Sequence, residues 1–198
     1  YNPEEDTFAP FNDSELKIEG SIDNLTFDKQ GNLWVINSKG IYCLNSKNGN
    51  HHFFPSTDFF IPTGITITQS GSVWILGLDG NIYLFNPQRM DFVSYPILTK
   101  EEKAQHILLY RILECSNGDL MVTTDRIGAR LFSPNNGEVK VLFKNDARNN
   151  PIYIHTAIQR NKDEFWFGTE SGIHIYQLNI GFTDHLQKSY NDTYSLSD

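Results

Sequence analysis

A motif repeated four times at nearly constant spacing constrains this chain more than any other feature. Gly31-Asn32-Leu33-Trp34-Val35 is followed by Gly40-Ile41-Tyr42, and Gly71-Ser72-Val73-Trp74-Ile75 by Gly80-Asn81-Ile82-Tyr83. Gly118-Asp119-Leu120-Met121-Val122 is followed by Gly128-Ala129-Arg130-Leu131-Phe132, and Asp163-Glu164-Phe165-Trp166-Phe167 by Gly172-Ile173-His174-Ile175-Tyr176. The large central residues, Trp34, Trp74, Met121 and Trp166, lie 40, 47 and 45 positions apart. A unit of this length holds several strands but cannot bury its own apolar face. It must stack on its copies, and a period of about 40–45 residues marks propeller blades.

Each unit divides into four strands by alternation and turn signals. An alternating run precedes each motif, at residues 23–27, 63–68, 108–113 and 154–159. Turns such as Asp28-Lys29-Gln30-Gly31 and Ser116-Asn117-Gly118 reverse the chain into the Trp strand. Second turns at Lys39-Gly40, Asp79-Gly80, Ile127-Gly128 and Ser171-Gly172 open a third strand, and outer strands follow at 52–54, 92–95, 139–143 and 182–186. The expected fold is all-β, a β-propeller of four-stranded antiparallel blades. About four blades are expected, as part of a larger, seven-bladed propeller. Residues 21–56, 57–97, 98–145 and 146–186 are the expected blades. Residues 1–20 are read as the outer strand of a preceding blade with its connector, and 187–198 as a connector onward. A Trp recurring at one place in a stacking repeat predicts packing between blades rather than a sugar platform. Met121 stands in for it as a flexible filler.

Composition bounds the partners. Sixteen Lys and Arg against 24 Asp and Glu give a net charge of −8. No cationic surplus exists to displace counterions from a phosphate backbone, so nucleic acid is not an expected partner. A polybasic membrane patch is excluded on the same ground. No apolar run is long enough to span a bilayer, and no signal-peptide pattern opens the chain. The two cysteines, Cys43 and Cys115, lie in apolar strand contexts and are expected as buried free thiols.

Two local features interrupt the repeat. Thr99-Lys100-Glu101-Glu102 is a capping box that predicts a short helix through about Gln105. It is an insertion between the second and third blades, it explains the 47-residue spacing, and its charges are expected to form a solvated face. At the start, residues 1–11 align without gaps on 85–95, which places residues 7–11 as an outer strand. The simplest expectation is a piece of a longer array.

These residues resemble the two-component-regulator propeller repeat, Asp-x-x-Gly-x-Leu-Trp-(hydrophobic)-Gly-Thr-x-x-Gly-(hydrophobic). The first unit matches at Asp28, Gly31, Leu33, Trp34 and Gly40, and the fourth at Trp166, Gly168, Thr169 and Gly172. Asn191-Asp192-Thr193-Tyr194-Ser195-Leu196-Ser197 is similar to the connector that runs into the next blade of such proteins. The Gly-Thr pair is Asn37-Ser38 in the first unit and Gly77-Leu78 in the second, and the third has Thr123-Thr124. The resemblance implies a segment of the periplasmic sensor region of a Bacteroides-type hybrid two-component-system histidine kinase. It implies no catalytic role and no cofactor for this segment, an oligosaccharide ligand, neighbouring blades of the same chain as partners, and no membrane contact.

No catalytic or metal constellation stands out. His-Glu-x-x-His, Cys-x-x-Cys, Gly-x-Ser-x-Gly and phosphate-loop patterns do not occur. His51 and His52 are adjacent on a strand, so they point to opposite faces and do not readily share an ion. Loops on a rigid scaffold carry function. That makes the polar residues of the second turns, Asp79, Asp125, Arg126 and Glu170, the candidate ligand contacts. Solvated turns explain them as well. In the loop Thr57-Asp58-Phe59-Phe60, one ring is expected in the core. An alternative is a propeller lyase or hydrolase acting through Asp79, Asp125, Glu170 and His106. A protein-binding scaffold is a third reading.

Overall fold

A computed structural model describes residues 3–7, 18–45, 48–58 and 60–188. The first sheet holds β1 (Asn24–Phe27), β2 (Asn32–Asn37), β3 (Gly40–Asn45) and β4 (His51–Pro55). The second holds β5 (Pro62–Ile67), β6 (Val73–Gly77), β7 (Asn81–Asn86) and β8 (Asp91–Pro96). Helix α1 (Lys100–Ala104) precedes the third, made of β9 (Leu109–Glu114), β10 (Leu120–Thr124), β11 (Ala129–Phe132) and β12 (Val139–Phe143). The fourth holds β13 (Ile154–Gln159), β14 (Glu164–Thr169), β15 (Gly172–Gln177) and β16 (Gly181–Leu186). In every sheet the strands lie in chain order, each antiparallel to the next. The first strands β1, β5, β9 and β13 approach one another in succession, so they form a hub from which the sheets radiate.

Two recurring glycine positions have separate physical reasons, the first filled by Asp163 in the fourth unit. The first sits in the turn into the second strand: Gly31, Gly71 and Gly118 have φ of 84°, 89° and 85°. Each donates its amide to the residue three back, Asp28, Thr68 or Cys115, in a turn that left-handed φ permits. The second answers a close approach of strands three and four. A Cβ on Gly128 would lie 2.1 Å from the Phe143 carbonyl oxygen.

Three apolar cores lie between successive sheets. Trp34, Ile36, Ile41 and Cys43 meet Val73, Ile75 and Tyr83. Trp74, Leu76 and Ile82 meet Leu120, Val122 and Phe132. Met121, Cys115 and Ala129 meet Phe165, Phe167 and Tyr176. Trp34 therefore packs between sheets, edge-on to Phe85 at 4.9 Å, and Trp74 does the same against Phe132 at 5.7 Å. With sheets on both sides, β6 and β10 are buried along their whole length. β14 alternates instead: Phe165 and Phe167 are buried, while Trp166 is partly open. The two thiols belong to different cores and are free, and burial pushes Cys43 up to about 12 and Cys115 to about 11.

The helix begins as its capping box requires. The Thr99 hydroxyl accepts from the Glu102 amide, and the Glu102 carboxylate accepts from the Thr99 amide. Its charges form a solvated face only in part: Lys100 and Glu101 are exposed, while Glu102 and Lys103 are engaged by the protein. Glu102 is buried and pairs with Arg130 at 2.7 Å and Lys144 at 3.1 Å, and Arg130 is only 1% exposed. Lys103 donates to the Asn81 side chain at 2.6 Å. A five-residue helix has little stability alone, so these two side chains serve to dock it. At the N-terminal end, residues 3–7 include Asp6 with φ 51°, matching Met90 at 53° at the aligned position. Of the strand expected over residues 7–11 and the connector expected over 187–198, all but residues 7, 187 and 188 lie outside the described residues, as does Phe59. Phe60 packs on Tyr83 at 4.5 Å.

Candidate functional site

The second turns were the expected site, and their polar groups are largely engaged locally. The Asp79 carboxylate accepts from Asn81 and, at 2.6 Å, from the Tyr83 hydroxyl. Burial raises the Tyr83 phenol, and this bond raises it further. Asp125 accepts from the Leu108 amide at 3.0 Å and forms an ion pair with Arg126 at 3.1 Å. Arg126 also donates to the carbonyls of Gln105 and His106, so this pair fastens the helical insertion to the third sheet. Glu170 is exposed and lies 3.9 Å from His155. The structure thus brings Asp125 and Arg126 together and commits Asp79 to its own turn. His106, with φ 53°, offers its carbonyl to Arg126.

The hub side presents a different set of residues. In β5, β9 and β13 the pairing with the second strand skips one residue: Pro62 and Gly64 are paired, Leu109 and Arg111, Ile154 and Thr156. The residues left over are Thr63, Tyr110 and His155. They stand 40, 47 and 45 positions from each other and from Asp23, which precedes the first paired residue of β1. These are the spacings of the Trp positions. A bulge frees a side chain from the pleat and re-aims it, so the second, third and fourth sheets each present one unpaired residue at the equivalent position, which Asp23 occupies in the first sheet without a bulge. Asp23, Thr63, Tyr110 and His155 are all exposed. Tyr110 is 46% exposed and stands edge-on to His155 at 6.1 Å. Arg111 follows it and donates weakly, at 3.4 Å, to the His155 carbonyl.

A cavity of about 390 Å³ opens along this row. Asp23, Thr63, Tyr110 and Arg111 line it, with Leu78 and Leu108 at its edge. It contains a carboxylate, a hydroxyl, a phenol and a guanidinium over an apolar floor, a mixture suited to holding a small polar molecule.

No established sequence family matches the chain, and no curated protein is similar to it in sequence. Solved structures are similar to it in fold. Among them are the extracellular domains of two hybrid two-component systems from B. thetaiotaomicron. One is 14% identical over 96% of this chain, with a TM-score of 0.78. The other is 21% identical over the whole of it, with a TM-score of 0.67. The fold is a β-propeller. Its four sheets are blades, as the repeat predicts. The chain spans about a quarter of the length of those two domains, which are 25% covered. A virginiamycin B lyase from Staphylococcus aureus is also similar, 17% identical over 82% of this chain and 54% of its own, with a TM-score of 0.62.

Sequence reasoning looked to the turns and missed the bulge row. The signal was present: Asp23, Thr63, Tyr110 and His155 each lie five residues before Asp28, Thr68, Cys115 or Arg160, the position that closes the first turn. Nothing in the residue types marks them, because a bulge is a property of pairing register.

Proposed function

We propose that this chain is a non-catalytic, extracytoplasmic segment of the sensor region of a hybrid two-component-system histidine kinase, and that it takes part in sensing a carbohydrate. The observation that carries this is the hub-side cavity. Its lining includes Thr63 and Tyr110, set free by bulges that recur from blade to blade, on a fold shared with extracellular domains of hybrid two-component systems. In this reading the segment belongs to a larger propeller, neighbouring blades are its partners, and the protein is periplasmic and anchored in the inner membrane. Ligand binding shifts blade packing, which demands different affinity for two states. Calorimetric titration of the full chain against neutral and acidic oligosaccharides tests it, with binding of at least one class expected. Failure of every class removes the ligand.

The likeness to a lyase keeps one alternative in view: a propeller enzyme. Glu170 and His155 would be its acid–base pair to examine, since the Asp79 and Asp125 carboxylates are held in turn contacts. Substrate turnover by the full chain, lost in Glu170→Gln, would favour this reading over the sensor.

A further inference from the structure

Among the described residues four of the six arginines form ion pairs with carboxylates, and of the other two, Arg111 and Arg148, it is Arg111 that lines the hub-side cavity. Arg89 pairs with Asp91, Arg126 with Asp125, Arg130 with Glu102 and Arg160 with Glu164. Among the described residues no carboxylate pairs with Arg111, and its one protein contact, through Nε, leaves both terminal nitrogens unengaged. It is exposed, lines the 390 Å³ cavity, and follows Tyr110 in the bulge row. The corresponding residues of the other blades, Asn24, Gly64 and Thr156, carry no charge. In a chain of net charge −8, an unpaired guanidinium at a cavity is the group that would choose an anion. Its planar fork matches the two oxygens of a carboxylate or sulfate and gains little from a lone hydroxyl. Tyr110, nearly half exposed beside it, provides an aromatic surface for the apolar face of a sugar ring.

We infer that the ligand of this cavity is an acidic sugar, with its carboxylate or sulfate on Arg111 and its ring on Tyr110. The inference rests on the carbohydrate reading above and adds the charge and the orientation. Asp23 lines the same cavity from the first blade, two blades from Arg111. It repels an anion and accepts from hydroxyls, so the acidic residue of an oligosaccharide sits at the third blade and neutral residues extend toward the first.

The test is calorimetric titration of the full chain with digalacturonate, a sulfated galactobiose and galactobiose itself. At least one anionic disaccharide is expected to bind ten- or more-fold tighter than galactobiose. Arg111→Gln should lower the anionic affinity roughly ten- to hundredfold, as loss of a charge-assisted contact does, and the galactobiose affinity far less. Tyr110→Ala should weaken all three. Which anion prefers Arg111 separates carboxylate from sulfate recognition. Equal binding of the charged and neutral sugars, or a preference that survives Arg111→Gln, overturns the inference and leaves the carbohydrate reading standing. Binding of none of the three also overturns it, while the wider oligosaccharide series decides the broader reading separately. Arg111 is exposed and is not itself a member of an inter-blade core, so the variant should fold, and circular dichroism will verify that.

Discussion

Single residues explain why the repeat has the pattern it has. Asp28 accepts from the amides of Gln30 and Asn32, from the Asn32 side chain and, at 2.8 Å, from the Trp34 indole. One carboxylate thus closes the turn and fixes the Trp rotamer, which is why Asp precedes Trp by six in the motif. Thr68, Cys115 and Arg160 occupy that place in the other blades. The fourth blade solves the same problem otherwise: Glu164 accepts from the Trp166 indole at 2.7 Å, and Arg160 lies over the ring at 5.6 Å. Asp28→Ala leaves a buried indole N–H unsatisfied and should destabilise by about 1–3 kcal/mol in urea titration. Glu102→Gln strands the buried Arg130 charge and should cost about 3–5 kcal/mol, while Glu102→Leu with Arg130→Met should recover much of it.

The response to acid follows from the same residues. Burial pushes the Asp28 and Glu102 carboxyls up, but hydrogen bonds to Asp28, and hydrogen bonds and cations around Glu102, hold both below their ordinary values of 3.8 and 4.5. Their stabilisation is present above those values and is lost as the pH falls through the folded-state pKa values. His174 acts earlier. Burial, and then the neighbouring His185 stacked at 3.9 Å, lower it from 6.5 against the opposing pull of Asp146, with Arg148 lowering it further. The unfolded chain therefore takes up the proton first, and stability declines as the pH falls below 6.5. Thermal melts should show two acid phases, and His174→Gln should remove the upper one.

At the scale of elements, strand pairing decides which substitutions are tolerated. Gly118 and Gly128 both have positive φ, 85° and 69°, but a Cβ on Gly118 would meet open space. On Gly128 it would strike the Phe143 carbonyl in the neighbouring strand. Gly118→Ala should cost about 1 kcal/mol through φ alone. Gly128→Ala should cost several times more and loosen β12, measured as faster amide exchange there. The strands themselves were legible. The first-strand runs, the outer strands and the capped helix stand within a residue or two of their expected places, because alternation and caps are local signals. What the helix does was not legible, since Glu102 and Arg130 are 28 residues apart and their pairing depends on how the insertion folds back.

At the scale of the molecule, each blade is stabilised by its neighbours, and stability is a sum of blade and interface terms. Native-state exchange should be slowest in β6 and β10, which are paired on both edges and covered on both faces. It should be faster in the half-exposed outer strands β4, β8 and β12. Uniform protection across all strands would show that the blades do not behave as separable layers.

By itself, the sequence determined the blade count of this segment, the strand order and the residues that fill the joints, because a recurring apolar pattern must be buried by recurring neighbours. It also marked Asp79, Asp125, Arg126 and Glu170 as polar turn residues. Only the tertiary structure decided that Asp79 and Asp125 are engaged in turn contacts while Asp23, Thr63, Tyr110 and Arg111 open onto a cavity. For Thr63 and Tyr110 that outcome depends on a one-residue slip in pairing at the hub. A slip leaves no mark in residue type, since it arises from how twisted sheets meet around a common axis.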